Sequence, residues 1–404
     1  MSEDTQTIAK RIKQFNSGRN PDVLQLKYKN MRSNAFVFYR GSCHLFYEDL
    51  PNKSFFDLAP PVWVCGDLHL ENFGCYQADN RGVYFDINDF DESVLAPCLW
   101  DVARLLTSLL LSADTLKIDL PTAVQLCKHF LKTYTHTLQA GSARLMEEKF
   151  AQGTLKKFLE SVSSRKRKEF INSRTVKIDD KRKLLINAEH VCKIGKAKKQ
   201  QIKKVISEWA KAQQLSEFDK VLDVGYRIAG TGSLGLERYV LLVKSKGAEK
   251  HHLLDMKIAN PSCLTPYLKM KQPFWKNEAD RVIQIQRQMQ IFPQALLSAI
   301  KFDKQWFVLK ELQPSQDKMD LTLCKGKIEE IKNVIETFAE ILAWDQLRSG
   351  GRSGSATADE LIHFASIFPE WGEELMNYSM SYARQVQKDF KEFSVAYDAG
   401  YFND

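Results

Sequence analysis

The chain has no apolar run approaching the roughly 20 residues needed to cross a bilayer. Behind the charges of its opening residues, MSEDTQTIAKRIKQ, there is no apolar stretch of the kind a secretory leader carries. A soluble, cytoplasmic protein without a membrane partner is expected. C-x-x-C pairs are also missing, and the cysteines (Cys43, Cys65, Cys75, Cys98, Cys127, Cys192, Cys263 and Cys324) are scattered. That spacing indicates neither a disulfide framework nor a thiolate zinc site, so reduced and mostly buried thiols are expected. No zinc-finger or RNP-type motif and no internal repeat is present.

What is present suffices for a large core. The 404 residues are 44% hydrophobic and 27% charged, enough for two lobes rather than one. The formal net charge is +8, and its excess is concentrated: residues 156–204 hold about 17 Lys and Arg against about 5 Asp and Glu. Such a run is ordinarily a solvated helix face; the alternative is a docking surface for a phosphorylated or nucleic-acid partner. With no supporting motif, nucleic acid is not the expected partner.

Along the chain, a helix before Pro21 and an extended apolar piece over Asn34–Tyr39 are expected. Val62–Cys65 and Val83–Ile87 read as short strands flanking a loop, and Trp100–Leu111 and Thr122–Leu138 as helices. Residues 145–215 read as largely helical, with a hairpin or loop at Asp179-Asp180. Strands follow at 223–229, 238–244, 253–259 and 305–312, interrupted by a helix over Asn277–Gln290. A strongly apolar helix, Ile328–Leu347, a Gly/Ser-rich linker and a helical tail close the chain. The expected units are 1–145, 146–219, 220–316 and 317–404.

The chemistry sits in two stretches. Gly66-Asp-Leu-His-Leu-Glu-Asn72 and Asn88-Asp-Phe-Asp91 put an Asp, an Asn and further carboxylates on neighbouring loops. Phosphoryl transfer asks for a carboxylate to take the acceptor's hydroxyl proton and for hard oxygen ligands holding magnesium against phosphate. Asp67 suits the first role, Asn72 and Asp89 the second. An Asp-x4-Asn spacing alone is weak, because Asp and Asn in turns commonly satisfy loop backbone. The second stretch, Gly230-Thr-Gly-Ser-Leu-Gly235, is a G-x-G-x-x-G that by itself fits a dinucleotide turn equally well. A strand follows it rather than a helix, and strand, glycine loop, strand is the layout of a loop that covers nucleotide phosphates.

Residues 66–72 resemble the catalytic loop of aminoglycoside and choline kinases, H-G-D-x-H-x-x-N, with Cys65 in place of the first His. Asn88–Asp91 and Pro97–Ala103 are similar to the metal-binding segment of those kinases and the stretch after it. The whole chain resembles the bacterial DUF2252 family, whose F-x-F-x-R-G, G-D-x-H-x-x-N-F-G and N-D-F-D-E stand here as Phe36–Gly41 (with Arg40), Gly66–Gly74 and Asn88–Glu92. The resemblance implies that Asp67 is the catalytic base, Asn72 and Asp89 are Mg2+ ligands, and Asp101 is a buried brace of the catalytic loop. His69 then orients that loop, and Asp91 is either a further ligand or an exposed neighbour. Gly230, Thr231, Gly232, Ser233 and Gly235 would cover the phosphates of ATP, and Lys257 would pair with them. Glu278 would hold Lys257, with Gln286 or Gln290 as alternatives.

The motif order is inverted relative to kinases. The expected fold is therefore α+β, a protein-kinase-like two-lobe fold circularly permuted so that the catalytic half precedes the nucleotide lobe. The expected function is ATP- and Mg-dependent phosphorylation of a hydroxyl on a small molecule. Nucleotidyl transfer, or a non-catalytic nucleotide sensor docking a partner through 156–204, are the alternatives.

Overall fold

Helix starts follow local side-chain chemistry. In the computed structural model, which describes residues 7–52, 54–187, 189–215, 218–246, 251–314 and 317–403, Asn20 accepts the Val23 N–H and Pro21 opens the helix Pro21–Met31. Asp119 caps Leu120–Gln139, Asn277 caps Glu278–Met289, and Thr357 with Glu360 forms a capping box on Ala358–Ser366. Residues 1–6 and the boundary drawn at 316 lie outside the described residues.

One expected element changes type. Asn34–Tyr39 is not extended: Asn34 Oδ1 accepts the Val37 N–H at 2.9 Å and caps the helix Ala35–Gly41. Gly41 lets this helix close on its neighbour, since a Cβ there would lie 2.4 Å from Met31 Cγ.

Four short strands position the first motif. Val62–Cys65 and Val83–Ile87 do contain strands, but these do not pair with each other. Pro61–Val64 pairs antiparallel with Val94–Pro97, and Phe73–Gln77 pairs antiparallel with Val83–Ile87. Val64 lies opposite Val94 and Phe73 opposite Ile87, so the loops 65–72 and 88–93 are pinned at both ends to each other's flanking strands. The Asn88 N–H donates to the Asn72 carbonyl at 3.0 Å and extends the Phe73–Ile87 ladder to the ends of the two loops.

The second motif grows from a six-stranded antiparallel sheet. Its order is Ser298–Phe302, Gln305–Glu311, His251–Ile258, Arg238–Ser245, Phe218–Arg227 and Val191–Cys192. One face is covered by the helix Lys196–Ala212, whose Ile202, Ile206 and Trp209 pack on Leu241, Leu254 and Phe307. This helix, expected within a separate basic insertion, is part of the sheet's own core. On the other face, Ile171 and Leu184 cover Val240, Leu242 and Leu253. Leu184 belongs to a hairpin, Thr175–Ile178 with Lys181–Leu184, that turns at Asp179 and Asp180, both at positive φ. The rest of that face carries Arg238, Asp255, Lys257 and Lys310 and is open to a cavity.

The largest apolar core joins the first 160 residues to the helices Glu278–Met289, Ile328–Ser349, Ala358–Ser366 and Phe368–Asp398. The fold is thus mixed α+β. Among the described residues no helix is long and apolar enough to cross a membrane.

Candidate functional site

Strand Pro61–Val64 leads into Gly66, at φ +82°, where a Cβ would meet the Glu92 carbonyl oxygen at 2.4 Å. The sharp turn there needs glycine. The N–H groups of Cys65 and Gly66 donate to the Asp101 carboxylate at 2.8 and 3.0 Å, and the Tyr47 hydroxyl donates to the Gly66 carbonyl. Asp101, at the start of the helix Leu99–Leu111, therefore braces the loop. Burial pushes its carboxyl up to about 6, against those hydrogen bonds and Arg104.

Asp67 follows the turn. Its Oδ1 accepts from Arg104 Nη2 at 2.5 Å, and Arg104 is fully buried over the rings of Tyr39, Phe46 and Tyr47. Burial pushes the Asp67 carboxyl up to about 6; the Arg104 charge pulls against that, and Glu92 and Asp89 add to it. The Asn72 amide nitrogen donates to the Asp67 carbonyl at 2.6 Å, which leaves its amide oxygen as the atom to offer a cation. His69 is buried, burial holds it well below its usual pKa, and Nδ1 accepts the Glu71 N–H at 3.1 Å. Arg40 lies 3.3 Å from His69 Nε2 and pairs with Glu71 at 2.7 Å. Both residues shape the loop.

On the neighbouring loop Asp89 is half-buried. Burial would raise its pKa, but Lys257, Lys318, Lys310 and Arg238 outweigh that and lower it. Asp91 is ion-paired with Lys257, so it is neither a lone exposed carboxylate nor free for another partner. Glu278 does not hold Lys257: it pairs with Arg281 at 2.6 Å, one helical turn along. Gln286 and Gln290 do not hold it either, since Gln286 donates to Gln290 and Gln290 to the Ile87 carbonyl. The helix contributes Arg281 instead, which donates to the carbonyls of Ser93, Asp91 and Asn260 and ties the Asp89 loop to the end of the Lys257 strand.

The glycine loop lies directly above Asp67. A Cβ on Gly232 would come 3.2 Å from the Arg40 carbonyl and 3.8 Å from Asp67 Oδ2. The Gly232 carbonyl accepts from Arg19 at 2.7 Å and from Lys27 at 2.9 Å; Lys27 is wholly buried and also donates to Asn16. Gly230 and Gly235 sit at φ +80° and +86°. Asp67, Asn72, Asp89, Asp91, Gly230–Ser233 and Lys257 line one recess, which is continuous through shared walls with a cavity of about 710 Å³ under the sheet.

Arg104, Arg281, Arg19 and Lys27 belong to the site although no motif discloses them. Arg104 leaves a signal, the one cation of the buried helix Leu99–Leu111, where a buried charge demands a partner. Arg19 and Lys27 leave none, because they serve a loop about 200 residues away in the chain.

Among the described residues, no group of three or more His, Cys, Asp or Glu forms a metal cage. Magnesium that reaches a site on phosphate and water takes only one or two protein oxygens, and Asn72 and Asp89 line the same recess and could offer them. The donor set fits a metal that arrives with its substrate.

Fold and site together define an α+β protein with a charged cleft between a sheet and a helical body. The chain belongs to the DUF2252 family, described as an uncharacterized protein conserved in bacteria, whose model matches residues 19–396. Neither the curated proteins nor the solved structures contain a match.

Proposed function

We propose that the protein is an ATP- and Mg2+-dependent phosphotransferase acting on a hydroxyl of a small molecule, with a kinase-like two-lobe architecture in permuted order. The observation that carries this reading is the position of Gly232 over the Asp67 carboxylate, with Asn72, Asp89 and Lys257 around the same recess. Residues 61–97 supply the acid, the amide and the carboxylates; residues 218–311 supply the glycine loop and the lysine.

Asp67 is the base: it is held by Arg104 through one oxygen and presents the other toward the recess. Lys257, now paired with Asp91, is the cation that meets the donor's phosphates. Backbone N–H groups of the glycine loop contact those phosphates and exclude water from above. Asn72 and Asp89 are the residues that would hold magnesium, which would supply charge neutralisation to the transferred group. The exposed lysines of 156–204 remain a surface for a docking partner, although Lys198, Lys199 and Arg167 already pair with Glu237, Asp223 and Glu311.

A metabolite screen with γ-labelled ATP tests the reading. Label transfer by the wild type and its loss in Asp67→Ala are expected; transfer that persists in the variant would remove Asp67 from the chemistry.

A further inference from the structure

The cavity under the sheet holds more positive charge than its own carboxylates satisfy. Strand alternation puts Asp255 and Lys257 on the same face, with Lys310 opposite Asp255 and Arg238 opposite Lys257 in register. Asp255 is shared by Arg227 at 2.9 Å and Arg238 at 2.5 Å; Lys257 is taken by Asp91, and Arg40 by Glu71. Lys310 and Lys318 also line the cavity and have no ion pair among the described residues. Both face Asp89, Lys310 also faces Asp255, and Lys318 also faces Glu71. Burial lowers both amines, Lys318 to about 8. Beside them Asn88, 5% exposed, has no hydrogen-bond partner at either amide atom. Half-buried lysines without an ion pair beside a buried, unpartnered amide form a place that an incoming anion would satisfy.

Among the described residues, the same walls expose no Phe, Tyr or Trp ring: Phe90 is the one that lines the cavity, and it is 2% exposed. The ground beside Lys257 is occupied by the Arg227–Asp255–Arg238 cluster, and the apolar lining elsewhere, Leu26, Ile228, Leu234, Val282 and Val308, is aliphatic and offers no ring to stack on.

We propose that this cavity binds its ligand through a chain of at least three phosphates, held by Lys257, Lys310, Lys318 and Asn88, with the nucleobase contributing little. The proposal rests on the transferase reading and deepens it by naming the donor class: a polyphosphate, carried by any nucleoside or by none.

Calorimetric titration in magnesium with ATP, GTP, inorganic tripolyphosphate and adenosine tests it. The three polyphosphates should bind within about threefold of one another, and adenosine should give no heat. Lys310→Met and Lys318→Met should each weaken tripolyphosphate by about tenfold or more, the worth of a charge-assisted hydrogen bond. Lys318 lies outside the sheet, so its variant stands even if Lys310→Met fails to fold. Adenosine binding as tightly as ATP, a preference for ATP over tripolyphosphate above about tenfold, unchanged affinity in a folded Lys318→Met, or no heat from any polyphosphate would each overturn the proposal. Tripolyphosphate binding without Asp67-dependent transfer would keep this inference and sink the transferase reading. Transfer from ATP alongside adenosine binding would do the reverse.

Discussion

Arg104 and Asp67 set the charge balance at the centre of the site. Arg104 has no exposed surface, so Arg104→Met would leave the carboxylate without its cation. Losing one partner of such a pair costs about 3–5 kcal/mol, which urea denaturation should show as a much lower midpoint. Asp67 also makes a pH prediction. A base works only when deprotonated, and this carboxyl is pushed up to about 6. Turnover should therefore rise with pH through about 6 and fall about tenfold per unit below it; a flat profile across that range would contradict the role. At this scale the sequence is legible where chemistry is local: the two motifs that carry Asp67, Asn72 and Asp89 do meet around one recess. The partner of Lys257 is not legible. Choosing between Glu278 on a helix and Asp91 on a loop depends on packing, and Glu278 has Arg281 three residues away on its own helix.

Elements meet at the glycine loop. Lys27, on the helix Pro21–Met31, and Arg19 just before it both hold the Gly232 carbonyl, so the N-terminal helix fixes the height of the loop above Asp67. Gly232→Ala should put a methyl group between the Arg40 carbonyl and Asp67, lowering turnover by about tenfold or more while costing about 1 kcal/mol of stability. Parallel assays of turnover and thermal melting would separate the two effects; a melting loss with full turnover would contradict the placement. Strand positions are largely legible from apolar runs, whereas their pairing is not. The ladder of Pro61–Val64 with Val94–Pro97 encloses the whole of the other hairpin, and no local signal specifies a partner about 30 residues away. The helix Ala35–Gly41 escapes the sequence for a related reason: its apolar residues suit either element, and the cap at Asn34 decides.

Across the whole molecule, the α+β composition and the order of the motifs are legible, but the burial of acids is not. Asp86 and Asp345 are buried against each other beside Arg348, which pairs with Asp345 at 2.6 Å. Burial pushes Asp86 up to about 6 and Asp345 well up, with Asp86 adding to the rise. Folded-state values above those of an unfolded chain mean that the protonated acids stabilise the fold at low pH, and that contribution is lost as pH rises through about 6. The melting temperature should therefore fall from about pH 4 through about 6, and fall less in Asp345→Asn, whose amide stands in for the protonated acid; an unchanged slope in scanning calorimetry would contradict this. The central claim, that both halves of the chain build one transferase site, is tested most directly by measuring Mg-ATP affinity and turnover side by side in Asp67→Asn and Asp89→Asn. Asp89→Asn should lose both, because a neutral amide is a poor partner for a hard dication. Asp67→Asn should keep near-normal affinity and lose about two to four orders of magnitude of turnover; equal turnover in Asp67→Asn and the wild type would contradict the account.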